Sequence, residues 1–219
     1  MDDDTRKIPS HEVTYGRLRD MILFGHLLPG QPVTIQGLIR DLEAGMTPVR
    51  EAIRRLTAEG ALMPQGNRRV AVPQLTPALL DQLAFVRLTV EPKLAELAGA
   101  HLNPALIDRL EAIDDHVDRA IRAGSVSEYL GSNHAFHFAL YEASDAPILV
   151  DIARGLWLRF GPSLRVVCAR YGAAALPDRH EEALAAMRAG DRAGLARAIE
   201  NDIQQGIDQI RQAQAEGGV

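Results

Sequence analysis

The stretch MTPVREAIRRLTAEGAL, Met46 to Leu62, decides how the front of this chain is read. Thr47 is placed to cap a helix whose first position is Pro48, where a missing N–H costs nothing. Val49, Ala52, Ile53 and Leu56 recur at helical spacing, and Gly60 is a natural C-terminal stop. That stripe leaves Arg50 and Arg54, four apart, on another face, with Arg55 flanking it. A solvated face with an ion pair, such as Glu51 with Arg55, explains any one of these arginines. Three on one helix of an acidic chain need a further reason.

Working outward, Val13, Leu18, Ile22 and Leu23 mark an earlier helix that ends at the turn cluster GHLLPGQPV. Thr34 can cap a short helix containing Leu38, Ile39 and Leu42, which stops near Gly45. After Gly60, the apolar pieces Ala61–Met63 and Val70–Val72 flank PQGNRR, which reads as a β-hairpin with Gly66-Asn67 in or near the turn. Helix, helix, helix, hairpin is a winged helix-turn-helix order. It carries Arg68 and Arg69 at the hairpin tip, beside the arginines of the third helix. A slim helix with outward guanidinium groups and a basic wing suits a duplex groove lined by phosphates. Arginine also reads guanine through paired hydrogen bonds.

Beyond Leu75 the pattern is helical throughout. LTP at Leu75–Pro77 and LNP at Leu102–Pro104 place a capping residue before proline. AGS at Ala123–Ser125, SDAP at Ser144–Pro147 and AGD at Ala189–Asp191 are breaks, and FGPSL at Phe160–Leu164 is a break or kink. The fold class is therefore mainly α. Residues 8–75 form the winged domain, preceded by a loose polar tail, and residues 76–214 form an antiparallel bundle of six or seven helices.

Composition agrees with two domains facing different partners. The net charge is −5, yet Thr5–Thr76 holds ten Lys/Arg against six Asp/Glu, while Pro77–Val219 holds fourteen against twenty. Hydrophobic residues make up 47% and charged ones 24%, as in ordinary soluble domains. A single cysteine, Cys168, excludes an internal disulfide, and no targeting or membrane-spanning run appears. The expected location is the cytoplasm.

On these residues, MTPVREAIRRLTAEGAL resembles the recognition helix of the GntR family of bacterial transcription regulators, and LLPGQPV resembles the turn before its second helix. The resemblance, in which Arg50 matches the arginine after Pro-Val, and the basic faces together imply DNA contacts from Thr47, Pro48, Arg50, Glu51, Arg54 and Arg55 on the helix, and from Asn67, Arg68 and Arg69, which stand in place of the commoner glycine-rich wing. Gly45 and Met46 stand where the family usually has Ser-Arg, so one usual contacting arginine is missing. The remainder, Leu75 to Ile210, is similar to the helical effector domain of the FadR-like branch, called FCD. The segments that carry this likeness are VRLTVEPKLAELA, NHAFHFALYEAS and HEEALAAMRAGDRAGLARAIENDI.

That likeness implies a divalent metal site at Asn133, His137, His180 and Asp202. Here an amide replaces the family's leading carboxylate, and a carboxylate replaces its last imidazole. Two imidazoles, a carboxylate and an amide suit zinc, nickel or manganese. The alternative is that His137 and His180 are internal histidines bonded to bundle neighbours; His134 is expected on another face. Arg87 matches a frequent arginine of the domain and stands ready for a carboxylate effector or for an ion pair. Arg159 and Arg165, around WLRFGPSLR, are further effector-binding candidates.

The implied protein is a homodimeric regulator, most naturally a repressor, that binds double-stranded operator DNA and answers to a small organic acid. The alternative from another class is a metal-dependent enzyme using the bundle site. Against it, no catalytic pair, nucleophile motif or phosphate-binding glycine loop is present.

Overall fold

The computed structural model describes residues 10–172 and 179–217. The expected loose tail ahead of Ser10, with its Asp2–Asp4 run, lies outside them. Helix α1 (Ser10–Leu23) leads to strand β1 (Val33–Thr34), helix α2 (Ile35–Asp41) and helix α3 (Met46–Ala58). Strands β2 (Met63–Gln65) and β3 (Arg69–Ala71) complete the front unit. Thr34 caps α2 as its sequence position requires, its hydroxyl accepting from Gly37 N at 2.9 Å.

Two local expectations shift. Helix α3 begins at Met46 with Gly45 as its cap residue, so Thr47 lies inside the first turn and does not cap. The hairpin strands sit about two residues later than the apolar pieces on its first side. Its turn is centred on Asn67 and Arg68, at φ 54° and 58°, with Arg69 N bonded to Gly66 O. Strand β1 joins them in a three-stranded antiparallel sheet of order β1-β3-β2, pairing Val33 with Val70 and Thr34 with Arg69. Two residues are too short to show a period, so this strand exists only because β3 is there to pair with it.

The rear unit consists of α4 (Pro77–Ala98), α5 (Pro104–Ala123), α6 (Val126–Glu142), α7 (Pro147–Tyr171), α8 (His180–Ala189) and α9 (Arg192–Ala215). These six helices, counted among the described residues, are within the expected number. Thr76 and Asn103 cap α4 and α5 through Leu79 N and Leu106 N. Gly124 and Gly190 close α5 and α8. Helix α7 continues through Pro162, so of the expected break or kink a break does not occur. Its buried surroundings hold that turn in the bundle, where Phe160, Pro162, Leu164 and Val167 are all buried.

In α3, Val49, Ala52 and Leu56 are buried against α1, which turns the arginine face outward. In the bundle, α4 lies along α9 and against α6 and α7, enclosing Leu94, Phe136, Leu140 and Ile207. Helix α7 also packs on α1, so one helix touches both the bundle interior and the winged unit.

Candidate nucleic-acid interface and bundle cavity

The outward residues of the front unit fall into three kinds. Arg50 is exposed and makes no ion pair with any described residue. Arg68, Arg69 and Asn67 are likewise exposed at the hairpin tip, and Thr47 is exposed in the first turn of α3. Arg54 is 71% exposed but held by Glu51 through contacts of 2.6 and 3.1 Å, a pair that open water weakens. Arg55 belongs elsewhere. Its guanidinium lies 3.8 Å above the Tyr15 ring and 2.7 Å from Glu12, so it fastens α3 to α1. Pro48 is half-buried and shapes the helix start. The outward face of the front unit therefore consists of Thr47, Arg50 and the Glu51–Arg54 pair, together with the wing tip.

Inside the bundle, helices α6, α8 and α9 bring His137, His180 and Asp202 together, with one ligand atom from each lying within 4.8 Å of the others. Each histidine is oriented by an outer partner. Tyr141 donates its only hydroxyl proton to Glu91 Oε2 at 2.8 Å. The Tyr141 oxygen 3.1 Å from His137 Nδ1 must then accept, which puts the ring proton on Nδ1. Nδ1 of His180 lies 2.9 Å from Asp114 Oδ1, which fixes that proton in the same way. Both Nε2 atoms therefore carry lone pairs.

Nε2 of His137 is fully buried and faces Asp202 Oδ2 at 3.1 Å. Burial pushes the His137 imidazole below its ordinary pKa, and Asp202 opposes the shift. A lone pair facing a carboxylate wants a cation between them. Ligands ~2.1 Å from a tetrahedral ion stand about 3.4 Å apart, against separations of up to 4.8 Å here, so holding a divalent ion would take side-chain movement of about an ångström. Asn133 lines a cavity of about 30 Å³ together with Asp202, Arg87 and Trp157. That is room for roughly two waters, or for the end of one ligand.

Of the two roles the sequence allowed, Arg87 takes the ion pair. It is buried in an ion pair with Glu91 (2.5 and 3.2 Å), and it lines the same cavity. The rings of Trp157 and Phe160 lie 4.8 and 4.1 Å from its guanidinium. Glu91 also accepts from Trp157 Nε1 at 2.8 Å, so it anchors three donors at once. His134 sits apart, stacked on Phe138 at 4.4 Å, and burial takes its pKa down to about 3.

Comparison with known proteins decides the class. The description "FCD domain" matches residues 82–205, and "Bacterial regulatory proteins, gntR family" matches residues 11–72. The chain belongs to the GntR family and carries an FCD domain. The HTH-type transcriptional regulator McbR of Escherichia coli K12 is 29% identical over 193 residues, 87% of each chain. The Nta operon transcriptional regulator of Aminobacter aminovorans is 28% identical over 133 residues, 60% of this chain and 62% of that one. Among solved structures, E. coli McbR/YncC superposes with a TM-score of 0.90 at 26% identity, covering 95% of this chain and all (100%) of that one. This protein is thus a DNA-binding transcription regulator of the FadR-like branch, and the enzyme alternative is set aside.

In this regulator two effector candidates lie away from the cavity. Arg159 directs Nε and one terminal nitrogen (3.1 and 2.8 Å) to the carbonyl of Glu59, at the end of α3. The stem of Arg165 packs against Gly25, just after α1. Helix α7 is flanked on both sides, and the cavity side is taken by Trp157, Phe160 and Leu164. Sequence reading also missed Tyr141 and Asp114 as orienting partners. Tyr141 left a signal, four residues after His137 on one helix face; Asp114 left none. Cys168 is buried, with its thiol pushed up to about 12. Native regulator at pH 8 should resist iodoacetamide for hours and react within minutes in urea; fast native labelling would contradict this.

Proposed function

We propose that this regulator is a cytoplasmic repressor that acts as a homodimer, and that a small organic acid, reaching a metal in the bundle, changes its operator affinity. The observation that carries the metal reading is the convergence of His137, His180 and Asp202 beside Asn133, with both imidazoles oriented by outer partners. Zinc, nickel and manganese all suit this donor set, and the bound ion would supply Lewis-acidic positive charge to the cavity.

Charge explains why the acid would need that ion. Glu91 already compensates Arg87, which leaves Asp202 as the uncompensated charge lining the cavity. Without a divalent cation the cavity repels a carboxylate; with one, it attracts it, and Arg87 still has N–H groups to offer. A cavity of this size takes the acid end of the ligand and leaves its body toward Gln205 and Gln209.

Dimerisation is supported by exposed apolar side chains on two helices that pack together, with Phe85 of α4 72% exposed and Ile148 of α7 76%. Two winged units on one palindromic operator also supply the contact area that one alone lacks.

The test is thermal unfolding after chelation. Zn²⁺, Ni²⁺ or Mn²⁺ at about a hundredfold over Kd should raise Tm by about 5–10 °C. His137→Ala and His180→Ala should abolish the shift. A carboxylate panel should stabilise only metal-loaded protein and release operator DNA. No shift with any of the three ions would remove the metal, and acid binding without metal would remove the charge argument.

A further inference from the structure

The ends of two winged-unit helices rest on one short stretch of α7, residues 159–165. The carbonyl of Leu23, the last residue of α1, comes so near Gly161 that a Cβ there would lie 2.5 Å from it. The carbonyl of Glu59, the C-cap of α3, accepts two N–H bonds from Arg159. The next residue, Gly60, is at φ 73°, and a Cβ on it would meet the Arg159 guanidinium at 2.7 Å. A cation at the C-terminal end of a helix is also favoured by the helix dipole. An apolar cleft of about 330 Å³ separates Gly60 and Ala61 from Leu79, Leu83 and Leu156.

We propose that Arg159 is a positioning residue for DNA binding: by bonding the end of the recognition helix, it sets the angle of the winged unit against the bundle. It touches no DNA and acts through the Glu59 carbonyl. Because α7 also presents Trp157, Phe160 and Leu164 to the cavity, a small shift of α7 moves the bond that aims α3. The role of Arg159 depends on neither the metal nor the effector.

The test measures orientation directly and affinity second. Spin labels on Arg40→Cys and Arg119→Cys, exposed sites on α2 and α5, report the distance between the two units. Native Cys168 is buried, and excess unlabelled chain restricts the signal to one chain. The distance distribution should be narrow with Arg159, at least twice as broad in Arg159→Ala, and narrow again in Arg159→Lys, which keeps one donor. Arg159→Ala should bind a single operator half-site within twofold of the parent. It should bind the full operator about five- to tenfold more weakly, and it should tolerate half-sites moved by one or two base pairs better than the parent. An unchanged distribution overturns the proposal. So does equal loss on half-site and full operator, since Arg159 would then merely hold α3 together. If the parent sediments as a monomer, the dimer reading fails alone, and the distance measurement still decides.

Discussion

Arg50→Ala is expected to weaken operator binding by about 30-fold at the least, with the melting temperature unchanged. The side chain is exposed and unpaired among the described residues, so its removal leaves no cavity and no orphaned charge. A bidentate arginine–guanine contact contributes about 1–3 kcal/mol, and a symmetric operator loses it twice, or about 2–6 kcal/mol. Gel shifts at matched salt check this. If Arg50 reads a base, discrimination at one operator position relaxes; if it grips a phosphate, affinity falls evenly and the salt slope drops by about one per contact. Unchanged affinity would end the case for α3 as the reading element. Arg54→Ala should cost less, since Glu51 already engages it, and Arg55→Ala should act on stability through Glu12 and Tyr15.

Glu91→Ala should be the most damaging single change to the fold, at about 3–5 kcal/mol. It would leave the Arg87 guanidinium buried without a counter-charge, and it would strip Tyr141 and Trp157 of their acceptor. Urea unfolding would show a lower midpoint at constant slope. The paired change Arg87→Met with Glu91→Leu should recover only the part of the loss that comes from the unpaired charge, since Tyr141 and Trp157 still lack their acceptor. A Glu91→Ala protein within about 1 kcal/mol of the parent would mean that water or another group compensates Arg87, and the reading of Arg87 and Glu91 as a mutually dependent buried pair would fall. Freed of Tyr141's accepting oxygen, His137 also loses what fixes its ring proton, so surviving Glu91→Ala protein should bind metal more weakly.

Much of the site is legible in local spacing. Asn133 and His137, Arg87 and Glu91, and His137 and Tyr141 each lie four residues apart, and helix geometry alone puts each pair on one face. The register of His180 and Asp202 against that face is a matter of how α8 and α9 pack, which the family likeness carried and spacing did not. The arginines of α7 show the limit most plainly. Periodicity assigns Arg159 and Arg165 to faces of a helix without saying what those faces meet; here they meet the winged unit.

The sequence by itself determined the helices, their caps at Thr34, Thr76 and Asn103, the hairpin, and an arginine face opposite the stripe of Val49, Ala52 and Leu56. These are short-range consequences of side-chain period and of donors left over at helix ends. Only the tertiary structure decided that Arg55 is spent on Glu12 and Tyr15, that β1 exists, that Asp114 orients His180, and that Arg159 holds the end of α3. Each of these joins residues more than thirty positions apart, and at that separation the meeting of two groups depends on the packing of whole helices.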